Sequence, residues 1–173
     1  EDSNPTLTDV TFTGNTADMD GGGMYLLASS STLADVTFTG NTADEGYGGA
    51  MYIDSGVATL TNVIFSDNYT DWVGGGLYLN NVDSPTLTNV QFIDNVAGHA
   101  GGGMFMDNSI GNAILTDTEF IGNTAEEGGG LVYLWPYSNA NLTLTNVIFS
   151  ENSADVVGGG LCHDGGNISL TNT

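Results

Sequence analysis

The sequence predicts an all-β solenoid of about six coils, and three observations predict it. One phrase recurs six times along the 173 residues, apolar residues alternate with period two inside that phrase, and no stretch sustains the 3.6-residue period of a helix. The phrase reads Thr-Leu-Thr-Asn/Asp-Val-x-Phe-x-x-Asn, then Gly-Gly, then a short apolar run. A set of strands that returns to its own beginning every 27 residues or so is one coil, and stacking the coils buries the apolar faces that a single coil leaves open.

Within a coil the first element is Thr-Leu-Thr, whose Leu column is Leu7, Leu33, Leu60, Leu87, Leu115, Leu144 and Leu170. Next comes Val-x-Phe, in which Val10 and Phe12 share a face around Thr11. The core Phe column runs Phe12, Phe38, Phe65, Phe92, Phe120 and Phe149, at spacings of 26, 27, 27, 28 and 29. Three residues after each Phe stands an Asn: Asn15, Asn41, Asn68, Asn95, Asn123 and Asn152. Equivalent residues in parallel coils lie about 4.8 Å apart, so these amides are expected to form a hydrogen-bonded ladder. Ionised Asp in the same column would repel its neighbour.

A glycine pair follows each Phe by nine or ten residues, at Gly21-Gly22, Gly48-Gly49, Gly74-Gly75, Gly101-Gly102, Gly129-Gly130 and Gly158-Gly159. Glycine there serves a corner that needs positive φ or a close approach of backbones. The strand after the pair supplies an inward column, Met24, Met51, Leu77, Met104, Val132 and Leu161. Beside it runs an aromatic column, Tyr25, Tyr52, Tyr78, Phe105 and Tyr133, with Cys162 in the place of the next ring. If the first column points inward, the second forms an outward aromatic stripe. That stripe is expected to stabilise its sheet, and a platform for sugar rings or a lateral contact between rods is the sharper reading. Unit length varies chiefly before the next Thr-Leu-Thr, as at Trp135-Pro136-Tyr137-Ser138-Asn139, which marks the corner where loops bulge. The coil boundaries fall at 5–30, 31–57, 58–84, 85–112, 113–141 and 142–168, with 169–173 a partial coil, all within one domain over 1–173.

Composition narrows the function. The chain has no Lys or Arg and 21 Asp or Glu, a formal charge of −21. Without cationic side chains it cannot neutralise phosphates, so nucleic acid is excluded as a partner, and so is docking to anionic lipid heads. No apolar run is long enough to cross a bilayer, so no membrane insertion is expected. Charged residues make up only 12% and hydrophobic ones 40%, a balance that suits a folded chain rather than a polyelectrolyte. One cysteine cannot make an internal disulfide.

The repeat also resembles a known family. Phe38-Thr39-Gly40-Asn41 followed by Gly48-Gly49-Ala50-Met51 is similar to the paired Phe-x-x-Asn and Gly-Gly-Ala-aliphatic motifs of chlamydial polymorphic outer-membrane proteins and related β-helix surface proteins. In that family the passengers act as surface adhesins. The resemblance, which covers the whole chain, implies a right-handed parallel β-helix with three short strands per coil, placed outside the cell.

The expected function is therefore a non-catalytic extracellular structural or adhesive repeat protein, with no catalytic residues assigned. It would be a rigid segment of a surface adhesin or a subunit of an extracellular filament. The chain opens directly into a coil at Thr6 and stops in mid-coil at Ser169-Leu170-Thr171-Asn172-Thr173. This fits either an excerpt of a longer solenoid or copies stacking end to end. The expected partners are other copies, end to end or laterally, or a host or matrix glycan or protein. The absence of Lys and Arg leaves no trypsin site, which suits a protein that persists outside cells.

Two other functions compete with this one. A polysaccharide-active enzyme would have to rely on carboxylate pairs such as Asp67 with Asp94, because lyases of this shape use Arg or Lys and the chain has neither. His99, in a glycine-rich turn, reads as a solvated residue, and Cys162 reads as a packing residue. An ice-binding protein would use the Thr-x-Thr ladder of Thr6 with Thr8, Thr59 with Thr61, Thr86 with Thr88 and Thr143 with Thr145, which Ala34 and Ile114 interrupt. No cofactor is expected. Calcium (Ca2+) is a candidate counterion for stacked turn carboxylates such as Asp9 over Asp35, or Asp18, Asp44 and Asp71, with no ligands assigned.

Overall fold

The computed structural model describes residues 4–109, 111–134 and 141–173. The Trp135-to-Asn139 segment, where the sequence places a bulging loop, lies outside them. Each described strand pairs in parallel with its equivalents one coil away, and no helix occurs among the described residues. The result is an all-β parallel solenoid of about six coils with three sheets along its length.

The first sheet has 11 strands and unites Thr-Leu-Thr with Val-x-Phe. In Ala58–Ser66 and Thr86–Ile93 the two run on as one strand, and elsewhere they are separate, as in Thr6–Thr8 and Thr11–Thr13. Between them sits one left-handed residue per coil, Asp or Asn, for example Asn62 at φ 54° and Asn89 at φ 53°. These two residue types tolerate that conformation best after glycine. The kink shifts the alternation by one, so Leu60, Val63 and Phe65 all face inward and are fully buried.

The second sheet has six strands, four of only two residues, such as Thr16–Ala17 and Thr42–Ala43, too short for period two to betray them. The third, also six-stranded, follows the glycine corner in Met24–Leu27, Met51–Gly56, Leu77–Val82, Met104–Asp107, Leu131–Leu134 and Leu161–Asp164. Glycine is required at that corner on two counts. Gly48 has φ +65°, and a Cβ on Gly49 would lie 2.3 Å from the Gly75 carbonyl oxygen of the next coil.

The interior is organised by two columns. Successive Phe rings from Phe12 to Phe149 stack at centroid separations of 4.7, 5.0, 5.0, 4.7 and 5.0 Å and lie within 8° of parallel. Beside them the Asn side chains form a saturated ladder. Asn68 donates through Nδ2 to Asn95 Oδ1 at 2.8 Å and to the Phe38 carbonyl at 3.1 Å. Its Oδ1 accepts from the Asn41 backbone N–H at 2.9 Å and from Asn41 Nδ2 at 3.0 Å. Asn41, Asn95 and Asn123 repeat the arrangement. An amide has two donors and two acceptor sites, so no capacity is wasted in a column that is fully buried from Asn41 to Asn123.

A second ladder decorates the exposed kink. Asn62 donates to Asp35 and Asn89 to Asn62, both at 2.8 Å, and Asn146 donates to Asp117 at 2.9 Å. A carboxylate has no N–H to give, so Asp117 cannot extend the chain of amides down to Asn89.

Candidate functional site

The third sheet places the aromatic residues. Its strands alternate, so Met24, Met51, Leu77, Met104, Leu131 and Leu161 form one inward column, in register. The next residue in each strand faces outward: Tyr25, Tyr52, Tyr78, Phe105, Val132 and Cys162. Two sequence assignments are corrected here. Tyr133 pairs with Met106, not Phe105, and belongs to the central core at 1% exposure, while Val132 takes the outward place and Leu131 the inward one. The cause is the run Gly128-Gly129-Gly130. Its positive φ falls on Gly128, so the corner pair is 128–129, and a one-residue slip moves every following side chain to the other face.

The outward column is not the open stripe that alternation alone suggests. The corner residues Tyr47, Val73 and Ala100 pack against it, and backbone bonds tie successive corners together, Gly21 N–H donating to Tyr47 O at 2.9 Å, Gly48 to Val73 O at 3.0 Å and Gly74 to Ala100 O at 3.0 Å. Tyr52, Val73, Tyr78, Ala100, Phe105 and Val132 thereby make a second, outer apolar core. Tyr52 is 7% exposed, whereas Tyr25, where the first coil has Asp20 in the covering position, is 45% exposed.

Around this outer core the rings are continuous. Tyr25 meets Tyr52 edge-on at 5.1 Å, Tyr52 lies 4.8 Å from Tyr78, and Tyr78 lies 5.5 Å from Phe105. Tyr47 packs on Tyr78 at 5.1 Å and reaches Trp72 at 6.5 Å, and Trp72 reaches His99 at 6.4 Å. Tyr25, Tyr47 and Trp72 present rings to solvent, Trp72 with 48% of its surface. His99 Nδ1 in turn faces Glu126 Oε2 at 3.7 Å.

Electrostatics follow from the uncompensated charge. Burial pushes the Tyr52 phenol up to about 12, helped by Asp54 and Asp20, while an Asn80 hydrogen bond opposes the shift. Tyr78 rises further through burial and Asp107. Tyr25 rises through burial, then Asp54 and Asp20. Tyr69 donates its hydroxyl to Asp71, which raises it as well. Each phenol therefore holds its proton through the neutral range.

The remaining candidates are dispersed. Asp67 and Asp94 occupy the same left-handed corner in successive coils, at φ 56° and 52°, and both are exposed. Among the described residues no three or more of His, Cys, Asp and Glu gather as a metal-holding group. The Cys162 thiol is pushed up by burial, then by Glu127 and Asp164, which opposes thiolate formation. His163 stacks on Tyr133 at 5.5 Å and 6°, and its Nε2 and the Tyr133 hydroxyl are buried without a partner among the described residues. On the first sheet Thr59 pairs with Thr86 and Thr61 with Thr88, while Ala34 and Ile114 stand in the same columns.

The corner residues Tyr47, Trp72 and His99 share no residue type, so the repeat phrase gives no sign of them. What marks them is position: Tyr47 and Val73 stand just before the left-handed glycine, and Trp72 one residue earlier. A family model described as a right-handed beta helix region matches residues 1–173. No curated protein and no solved structure matches the chain.

Proposed function

Because the chain belongs to the right-handed β-helix family, we propose that it is a non-catalytic, extracellular or cell-surface repeat protein whose contact surface is carried on a stiff rod. The observation that carries this reading is the set of exposed rings Tyr25, Tyr47 and Trp72, seated on an outer core whose strands also carry the inner core. Exposed rings gathered over neighbouring coils are surface that a protein offers to a partner. A scaffold whose buried amides are all paired holds such an array without reorganising. The resemblance of the Phe-x-x-Asn phrases and of Gly48-Gly49-Ala50 to motifs of chlamydial adhesin passengers supports the adhesive reading. The lack of any trypsin site suits the extracellular placement.

The test is retention of the chain on immobilised matrix proteins and glycans, alongside fractionation of the source cells. Adhesion that falls at least about tenfold in Trp72→Leu with Tyr47→Leu, with the protein in the surface or secreted fraction, supports the reading. Undiminished adhesion by that variant, or turnover of a polysaccharide by the chain, overturns it. A second copy of the chain is the competing occupant of the same rings, and concentration-dependent sedimentation that the variant abolishes identifies it.

A further inference from the structure

We propose that the ridge Tyr25–Tyr47–Trp72 receives a basic polypeptide segment, whose arginine and lysine side chains lie against the ring faces with protein carboxylates beside them. This rests on the adhesive reading and names the chemistry of its partner.

The argument begins with charge. With 21 acidic residues and no Lys or Arg, every exposed ring sits in a field of one sign, which draws cations and repels uronates, sulfates and phosphates. The acids are also local. Asp20 Oδ1 accepts the Tyr47 backbone N–H at 3.0 Å, Asp71 takes the Tyr69 hydroxyl and adjoins Trp72, and Asp54 lies near enough to act on Tyr25 and Tyr52. Exposed ring faces with carboxylates in the same coils attract a guanidinium or ammonium group through both the π face and the charge.

One polar ring of the molecule already lies in such surroundings. His99, the one imidazole on this surface among the described residues, sits with its ring 6.4 Å from Trp72 and its Nδ1 3.7 Å from Glu126. A nitrogen-bearing ring of the chain itself is thus seated between an indole and a carboxylate. Tyr47 and Trp72 meet at 57°, so their faces open in different directions and suit two separate cations better than one flat ring.

The ridge also spans three coils, roughly 10 Å at about 4.8 Å per coil, which asks for a chain bearing several cations. Arginine fits best, because its planar guanidinium stacks on a ring while its N–H groups reach a carboxylate. A neutral glycan would gain ring contact but nothing from the charge.

The test is calorimetric titration of the full chain with an oligo-arginine peptide, with oligo-glutamate and neutral oligosaccharides as comparisons, at about 0.15 M salt. Oligo-arginine is expected to bind, and Trp72→Leu with Tyr47→Leu to weaken it about tenfold, because apolar cover is kept while both π faces are lost. Asp117→Asn removes one charge on the first sheet, in a column that already uses Asn, and is expected to change affinity less than about twofold. Equal losses in the two variants, or no loss in the ring variant, overturn the proposal in favour of general polyanion attraction. Binding of a neutral oligosaccharide that needs the rings, with oligo-arginine indifferent to them, overturns it and leaves the adhesive reading standing. Failure of the ring variant to lose adhesion to immobilised surfaces overturns both.

Discussion

The inner and outer cores of this solenoid are built on opposite plans. Inside, Phe and Asn recur in every coil and each copy between the ends meets its own kind above and below, at centroid separations of 4.7 to 5.0 Å for the rings. Outside, the column changes from Tyr25, Tyr52 and Tyr78 to Phe105, Val132 and Cys162, and its cover changes from Asp20 to Tyr47, Val73 and Ala100. Uniformity is what a ladder needs, since an amide pairs best with another amide. Variation costs the outer layer little, because apolar contact is non-directional, and it leaves rings open to solvent in the first coils.

The largest effect that sharpens this contrast is expected from Asn95→Ala. It removes four hydrogen bonds at once and leaves the Phe65 carbonyl, the Asn68 amide groups and Asn123 Oδ1 short of a partner. Urea unfolding should show a loss of about 3–5 kcal/mol. Phe92→Ala opens a cavity between Phe65 and Phe120 and should cost about 3–4 kcal/mol by the same measurement. Tyr78→Ala, in the outer core, should cost about 2–3 kcal/mol, since the corner segment can settle into part of the space. A cost equal to that of Phe92→Ala would break the distinction between the layers.

A smaller effect lies in alkali. Burial raises the Tyr52 phenol to about 12 and Tyr78 further, above the ordinary phenol value near 10. The folded state therefore keeps protons that the unfolded chain gives up. Stability from these phenols is complete below about pH 10 and falls as pH rises toward about 12 and beyond. Melting temperatures across that range should decline, and Tyr52→Phe with Tyr78→Phe should flatten the decline. Trp72→Leu should be the mildest change, within about 0.5 kcal/mol, because that side chain is half exposed.

The sequence made the inner plan legible because Phe38 and Asn41 have counterparts of the same type in every coil, at nearly constant spacing. The outer plan was legible only in part. Alternation identified Tyr25, Tyr52, Tyr78 and Phe105 as one column, but it cannot show that a later segment folds back over them. Three consecutive glycines blur the register by one residue, which is enough to exchange Val132 for Tyr133. The covering residues Tyr47, Val73 and Ala100 have no common chemistry to align. The two-residue strands such as Val96–Ala97 are shorter than any period.

Native-state hydrogen exchange compares the two layers most directly. The account predicts that the backbone amides of Asn41, Asn68, Asn95 and Asn123 and their Nδ2 protons exchange only through global unfolding, while the amides of Tyr47, Trp72 and His99 exchange through local opening at much lower free energy. Ladder amides that exchange as fast as the ridge would contradict it, since the ridge would then lack the fixed support on which its proposed function depends.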